Sequence, residues 1–279
     1  MTPAPPGEAS NGRLRAVTRV GVLGAAGRMG ATVCRAIVDA PDCELVAAVD
    51  PHHAGIDLHQ IGIAGTGLQL AAKPEALVAA GAEVAVDFTS VEAARENLRF
   101  GAEQGIHMVV GTTGFTPDEM SELDALFAAG AANAIIAPNF SIGAVLMMRF
   151  AEMAAPYFDT AEIIELHHDR KRDAPSGTAM RTAERMSAAS SDWGEDPTRT
   201  VVVPGARGGE GPGGLRVHSV RLSGRVAHQE GRLGAPGELL TIRHDSYDRT
   251  AFMPGVLVAV REVGRHPGLT IGLDLYLGI

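Results

Sequence analysis

The chain predicts an α/β protein: a parallel sheet layered with helices, followed by a second α+β domain with an open mixed sheet. Three observations carry this. A short apolar strand runs into a glycine turn that opens a helix, and strands and helices of ordinary length then alternate through the first half. From residue 142 the pattern changes to helices followed by several strands set between glycine loops.

The first strand is Arg19 to Leu23, running into Gly24-Ala25-Ala26-Gly27-Arg28-Met29-Gly30. A helix from Ala31 to Ala40 follows, then Pro41 and a second strand, Glu44 to Val49, ending on Asp50. A glycine turn inside a strand-helix-strand unit, with an acid about 20 residues past its last glycine, is the Rossmann-type dinucleotide-binding arrangement. Glycines let the backbone approach a pyrophosphate, and an acid at Asp50 accepts the hydroxyls of an adenosine ribose. The spacing, G-x-x-G-x-x-G, is a variant, so the flanking strand, helix and acid carry the reading. Pro51 stands where a 2'-phosphate calls for a cation, which favours NADH over NADPH; His52, His53 and Lys73 leave the phosphorylated form open.

Three further strands end on loops suited to a ligand. Glu83 to Phe88 leads to Thr89-Ser90, Ile106 to Val110 leads to Gly111-Thr112-Thr113-Gly114, and Asn133 to Ala137 leads to Pro138-Asn139-Phe140-Ser141. Helices Val91 to Gln104 and Pro117 to Ala129 lie between them. Such alternation implies a parallel sheet that binds at the carboxyl ends of its strands.

The second half reads as a helix from Ile142 to Ala155, a strand from Ala161 to Leu166, and a helix from Ala179 to Ser190. Further strands are expected at Thr200 to Val203, Val217 to Leu222, Gly224 to Glu230 and Leu239 to Arg243. Pro204 to Gly214 holds six glycines but lacks a G-K-[ST] end, so it reads as a mobile connector or lid. A last helix, Ala251 to Arg265, and a strand, Leu269 to Tyr276, return to the first sheet. The expected division is a disordered tail over 1–18, a dinucleotide-binding domain over 19–140 and 248–279, and a substrate domain over 141–247. Its hinges fall near Ser141 and near Asp245 to Asp248.

The formal charge of −9 argues against a nucleic-acid binder. Residues 165 to 178 reverse that sign locally. Two histidines and three cations stand there between a strand and a helix start at Pro175-Ser176-Gly177-Thr178, whose free amides and dipole suit a carboxylate or phosphate. His167 and Lys171 can supply protons beside such an anion. Adjacent histidines on a strand point to opposite faces, which speaks against a metal site. Two cysteines, Cys34 and Cys43, fit a reduced, cytoplasmic chain. Met1 to Thr18 has no apolar core of a signal peptide, and Ile142 to Ala155 is too short and too charged to span a bilayer, so no membrane partner is expected.

The run Glu165 to Thr178 resembles the E-x-H-H-x-x-K-x-D-A-P-S-G-T signature of the dihydrodipicolinate reductase family of the diaminopimelate and lysine pathway. Gly24 to Gly30, Asp87-Phe88-Thr89, Gly111 to Gly114 and Pro138-Asn139-Phe140 look like its cofactor motifs, and the resemblance runs from about Val20 to the C-terminus, including Val217 to Arg221 and Ile242 to Ser246. It implies a homotetrameric enzyme reducing a cyclic dicarboxylate imine with NADH or NADPH. His167 would donate or accept a proton and Lys171 would protonate the substrate, while His168, Ser176, Gly177 and Thr178 would bind it. Cofactor contacts would come from Gly24, Ala25, Ala26, Gly27, Arg28, Met29, Asp50, Phe88, Thr89, Gly111, Thr112, Thr113, Ala137, Pro138, Asn139 and Phe140. Like charges around Lys171 would favour its neutral form. Gly231 and Arg232 depart from the apolar residues usual in the family and are expected to weaken a strand at a subunit contact. The competing readings are another dehydrogenase on this scaffold and a non-catalytic nicotinamide sensor. An acylating semialdehyde enzyme needs a reactive cysteine near the strand ends, and a sensor has no need of the His167, His168 and Lys171 group.

Overall fold

The computed structural model describes residues 17–279. The expected tail therefore lies outside the described residues up to residue 16. Thr18, assigned to that tail, instead begins the first strand, where it pairs with Cys43.

The first half is built from β1 (Thr18–Leu23), α1 (Arg28–Asp39), β2 (Cys43–Val49), α2 (Glu75–Ala79), β3 (Val84–Asp87), α3 (Val91–Gln104), β4 (His107–Val110), α4 (Pro117–Ala129) and β5 (Ala134–Ile136). The strands form one sheet in the order β11-β5-β4-β3-β1-β2, every pair parallel. β1 lies between β2 and β3, so the chain leaves it in opposite directions on either side, and a crevice opens at that switch point. The strands are short apolar runs because both faces are covered. On α1 the buried residues are Gly30, Val33, Cys34 and Ile37, a stripe at helical spacing that packs on one face of the sheet. Leu98, Leu123 and Phe127 of α3 and α4 cover the other.

The second half comprises α5 (Ile142–Ala154), β6 (Thr160–His167), α6 (Gly177–Ala189), β7 (Gly209–Glu210), β8 (Arg216–Arg221), β9 (Ala227–Ala235) and β10 (Glu238–Ser246). Its mixed sheet runs β10-β9-β6-β8-β7, with β6 parallel to β8 and antiparallel to β9. One face carries Ile163, Val217 and Leu233 against Ala151, Ala155, Ala183 and Met186 of α5 and α6. β6 is thus paired along both edges and backed by helices, a rigid carrier for whatever stands at its end. The chain then returns through α7 (Met253–Glu262), β11 (Leu269–Ile271), which pairs with β5, and α8 (Asp274–Leu277). Arg185 of α6 ties the layers together, bonding Glu152 of α5 at 2.8 Å and Asp274 of α8 at 2.6 Å.

Several elements differ from expectation. Thr200 to Val203 forms no strand; its valines are exposed, and the place at the sheet edge is taken by β7, which pairs with β8. β7 lies inside the glycine-rich segment, whose Arg207 also bonds Glu162 at 2.6 Å, so that segment is tethered and not a free lid. The expected strand Leu269 to Tyr276 stops after three residues at Gly272 (φ +86°) and turns into α8. The last long helix is interrupted by tighter turns at both ends, leaving α7 as its α-helical part. β9 runs unbroken through Gly231 and Arg232, with partners in both β6 and β10, so the departure does not weaken the strand.

Candidate active site

The glycine turn after β1 is shaped by close approach. Gly24 has φ +74°, and the amides of Gly24 and Ala25 donate to the Val49 carbonyl at 2.9 and 3.1 Å. A Cβ on Gly30 would come within 2.0 Å of the Gly24 carbonyl oxygen, and one on Gly111 within 2.0 Å of the Phe88 ring. α1 begins at Arg28 with Gly27 as its N-cap and no side chain on its first amides, which leaves them for an anion. Asp50 is nearly buried at the end of β2, where Ala26 N, His52 N and His53 Nδ1 meet its carboxylate at 3.2, 3.1 and 2.9 Å. Beside the turn, Gly24, Pro51, Pro74, Thr89, Asn97 and Phe100 line a cavity of 380 Å³ among the ends of β1, β2 and β3. The residues present therefore fit a dinucleotide: a turn where side chains are excluded, unused helix amides, and an acid at the end of β2 bonded to the amide of Ala26 in that turn.

Buried Asp87 organises the next loop. Its carboxylate accepts from Thr89 N (2.8 Å), Thr89 Oγ1 (2.6 Å) and Asn97 Nδ2 (2.7 Å), and burial raises its pKa against the pull of these bonds. Thr112 Oγ1 in turn donates to the Thr89 carbonyl at 3.0 Å. Phe88 and Phe140 pack as a tilted pair with centroids 5.9 Å apart; Ala25, Ala137 and Phe140 are core residues that can offer a ligand their backbone only.

Glu165, His167, Gln229 and Ser219 share the helix-backed face of the second sheet, since cross-strand partners lie on one side. His167 Nδ1 lies 2.5 Å from Glu165 Oε2, and Arg221 donates to both Glu165 oxygens at 2.8 Å. Ser176 N adds a fourth bond at 3.1 Å. Burial alone would raise the Glu165 carboxyl, but the bonds from His167, Arg221 and Ser219 outweigh it and hold the pKa down at about 2. α6 opens two residues earlier than expected, at Gly177, with Ser176 as N-cap: its Oγ accepts from Ala179 N and its carbonyl from Met180 N. Among the described residues, the amides of Gly177 and Thr178 remain for a ligand, and Gly177 faces open space. Asn139, at the end of β5, donates from Nδ2 to Thr178 Oγ1 at 3.2 Å, so the loop of the first sheet touches the anion turn of the second half.

His167, Asn139, Ser176, Thr178, Gln229 and two more histidines, His228 and His244, line one cavity. The histidines are not equivalent. His228 Nε2 accepts from Val226 N at 3.3 Å while Nδ1 meets Asp245 at 2.6 Å, so both ring nitrogens are used. His244 Nε2 bonds Ser141 Oγ at 3.1 Å, and burial lowers its pKa. His167 keeps its Nε2 for a ligand, its Nδ1 being held by Glu165. Gln229 Nε2 donates to Thr182 Oγ1, whose own hydrogen goes to the Thr178 carbonyl; this leaves Gln229 Oε1 a buried acceptor without a partner.

His167, Ser176, Thr178 and Asn139 are thus brought together. His168 and Lys171 lie in the loop just beyond β6, outside that cavity lining: His168 Nδ1 accepts from Arg170 N, and Lys171 Nζ holds Asp173 at 2.7 and 2.9 Å. Lys171 is therefore paired with a carboxylate, which corrects the expectation of a cation among like charges. Glu165, Arg221, Gln229 and His244 escaped the sequence reading as site residues. Glu165 carried a signal, since a residue two before His167 on a strand shares its face; Arg221 and His244 fell within runs that resemble the family but received no role there, and sheet pairing brings them to the site. Both cysteines are buried, and burial pushes the Cys34 thiol up to about 12, so neither is a nucleophile at the strand ends. At the far end of the second sheet a 540 Å³ groove exposes Arg207 and Arg216, yet Glu162, Asp196 and Glu210 neutralise them there. No cluster able to hold a metal occurs among the described residues.

Comparison with known proteins follows the same division. The family described as dihydrodipicolinate reductase, N-terminus, matches residues 18–140, and its C-terminus counterpart matches residues 143–277. The 4-hydroxy-tetrahydrodipicolinate reductases of Nocardia farcinica and Beutenbergia cavernae are 50% and 49% identical over 266 and 265 residues, covering 94% of this chain and 99% of each relative. A dipicolinate-bound dihydrodipicolinate reductase from Paenisporosarcina sp. TG-14 superposes with a TM-score of 0.83 at 37% identity, over 93% of this chain and 99% of that one. An amine dehydrogenase from Mycobacterium smegmatis, at 16% identity and a TM-score of 0.59, shares the fold.

Proposed function

This chain belongs to the dihydrodipicolinate reductase family, and we propose that it reduces 4-hydroxy-tetrahydrodipicolinate to tetrahydrodipicolinate in diaminopimelate and lysine biosynthesis, with release of water. One observation carries the reading: the hydrogen bond from Asn139 to Thr178, which joins the strand ends of the dinucleotide sheet to an anion turn flanked by His167. A bound nicotinamide supplies the hydride. The amides of Gly177 and Thr178, at the positive end of α6, hold one substrate carboxylate, with Ser176 setting the turn. His168 assists from the adjoining loop. Hydride addition to a conjugated imine builds negative charge, which Lys171 quenches by giving up a proton once the substrate draws it from Asp173; His167 Nε2 exchanges a proton at the same site.

The cofactor contacts are Gly24 to Met29, Asp50, Phe88, Thr89, Gly111 to Thr113 and Ala137 to Phe140, several through backbone alone. NADH is the preferred donor: Asp50 offers a carboxylate to a ribose diol and Pro51 offers no cation to a 2'-phosphate. Residues 19–140 with 248–279 form the dinucleotide domain and 141–247 the substrate domain, hinged near Ser141 and Asp245 to Asp248. The return of β11 to the first sheet and the Ser141 to His244 bond at the crossing support this division. The exposed Leu239 and Leu240 on the edge strand β10 suit assembly of a homotetramer. No described helix is long and apolar enough to cross a membrane, and a cytoplasmic location fits the reduced cysteines.

The test supplies the condensation product of pyruvate and aspartate semialdehyde and follows nicotinamide oxidation with NADH and with NADPH. Substrate-dependent oxidation, faster with NADH at low concentration, is expected; none with either cofactor refutes the assignment.

A further inference from the structure

We propose that Glu165 is the positioning residue of this site: one buried carboxylate fixes the tautomer and aim of His167 and at the same time anchors the turn that receives the substrate carboxylate. The inference deepens the reductase reading and rests on it for the identity of the substrate, but its geometry stands apart from that identity. Glu165 has no exposed side-chain surface and, beside the bond from Ser219, four bonds divide between its two oxygens. Oε2 takes His167 Nδ1 and Arg221 Nη1, and Oε1 takes Arg221 Nη2 and Ser176 N. An ionised carboxylate can only accept, so the proton on the His167 ring must sit on Nδ1, which leaves the Nε2 lone pair for the cavity. The same logic holds an imidazole in register in hydrolytic triads, where the acid orients the ring and stabilises the imidazolium without taking the proton.

The second arm of the device is Ser176. Its amide is tied to Glu165 Oε1, and its hydroxyl and carbonyl then cap α6, so the position of Gly177 and Thr178 follows from the same carboxylate that sets the ring. Arg221 completes the arrangement, since its Nη2 also donates to the Asp173 carbonyl at 2.7 Å and so closes the loop bearing Lys171. The guanidinium also offsets the charge of the buried carboxylate through two parallel bonds, so Glu165 is not left as an unpaired buried ion. Of the other charged or titratable groups around His167, His228 and Asp245 satisfy one another on β9 and β10, His244 is bonded to Ser141, and Lys171 to Asp173. Glu165 is thus the charged partner that meets the ring itself.

The experiment begins with the unaltered chain, labelled with 15N-histidine. Its His167 signal, assigned by loss in His167→Asn, is expected to show the neutral ring protonated on Nδ1; protonation on Nε2 overturns the proposal. Glu165→Gln is then compared by steady-state kinetics over pH. A fall in kcat of at least about tenfold is expected, with the KM for NADH unchanged and the His167 titration moved at least about one unit lower. Glu165→Asp should recover part of the lost kcat. An unchanged titration, or loss confined to KM, overturns the positioning role. Should Glu165→Gln fail to fold, the ring signal of the unaltered chain still decides. Should the unaltered chain fail to reduce the substrate, the functional reading falls while the same signal continues to test Glu165.

Discussion

Gly30→Ala separates what helix propensity forecasts from what tertiary packing dictates. Gly30 lies inside α1, where alanine is the better helix former by about 0.8–1 kcal/mol, so propensity alone forecasts a more stable protein. In the structure the new methyl would stand 2.0 Å from the Gly24 carbonyl oxygen, 2.7 Å from its carbonyl carbon and 2.9 Å from Ala25 Cα. All three are backbone atoms of the turn that β1 delivers, so no side chain can swing aside. Since real contacts stay above 3.0 Å, α1 and the turn must part by at least about 1 Å. Overpacking costs about 1–3 kcal/mol, and a clash with backbone that cannot swing aside falls in the upper part of that range, about 2–3 kcal/mol, which outweighs the propensity gain. A net loss of about 1–2 kcal/mol lowers Tm by roughly 2–8 °C in a chain of this size. The displaced turn also carries the amides offered to the pyrophosphate, so the Kd for NADH should rise at least about tenfold, or about 1.4 kcal/mol. Differential scanning calorimetry and quenching of nicotinamide fluorescence measure the two quantities. Gly231→Ala is the control, because a methyl there meets nothing within 4 Å. If Gly30→Ala melts at or above the parent temperature and binds NADH equally well, close approach of helix and turn is not what places glycine there.

Lys171→Ala should lower turnover far more than it weakens NADH binding, since among the described residues its Nζ bonds Asp173 and no residue of the glycine turn; equal losses in a rate assay and a cofactor titration would mark it as structural. Cys34, pushed up to about 12 by burial, and Cys43, raised mainly by burial, should both resist a thiol reagent in the native protein near neutral pH and react in denaturant. Fast native labelling of either would contradict the packing of α1 on its sheet. Glu165 has a folded pKa of about 2 against an ordinary 4.5, and its depression means that the unfolded chain takes up the proton first as pH falls. Its contribution to stability is therefore complete above 4.5 and drains away between there and about 2, so Tm should drop more steeply over that window in the parent than in Glu165→Gln. Parallel melting curves would refute it.

Local features were legible where local rules decide them. Helices α3 and α4 begin and end where they were expected, because Ser90 and the Thr116 and Glu119 box cap their starts and glycine follows each. Val201 to Val203 misled, since β-branched residues favour a strand only if another strand is present to pair with, and the edge went to Gly209 and Glu210. Leu269 to Tyr276 misled because apolar content hid the left-handed turn at Gly272.

By itself, the order of residues determined the alternating layers, the glycine turn with its acid, and the His167 to Thr178 run with its anion turn, all of which depend on neighbours a few positions apart. Tertiary structure alone decided which groups meet: Arg221 reaches Glu165 from 56 positions away, Asn139 bridges to Thr178, and His228, bonded to Asp245, and His244, bonded to Ser141, line the same cavity as His167. The reason is physical. Periodicity and capping act within a turn or two of chain, whereas the protonation state and aim of a buried group are set by whatever charges and donors the sheet register carries to it, and that register belongs to no single segment.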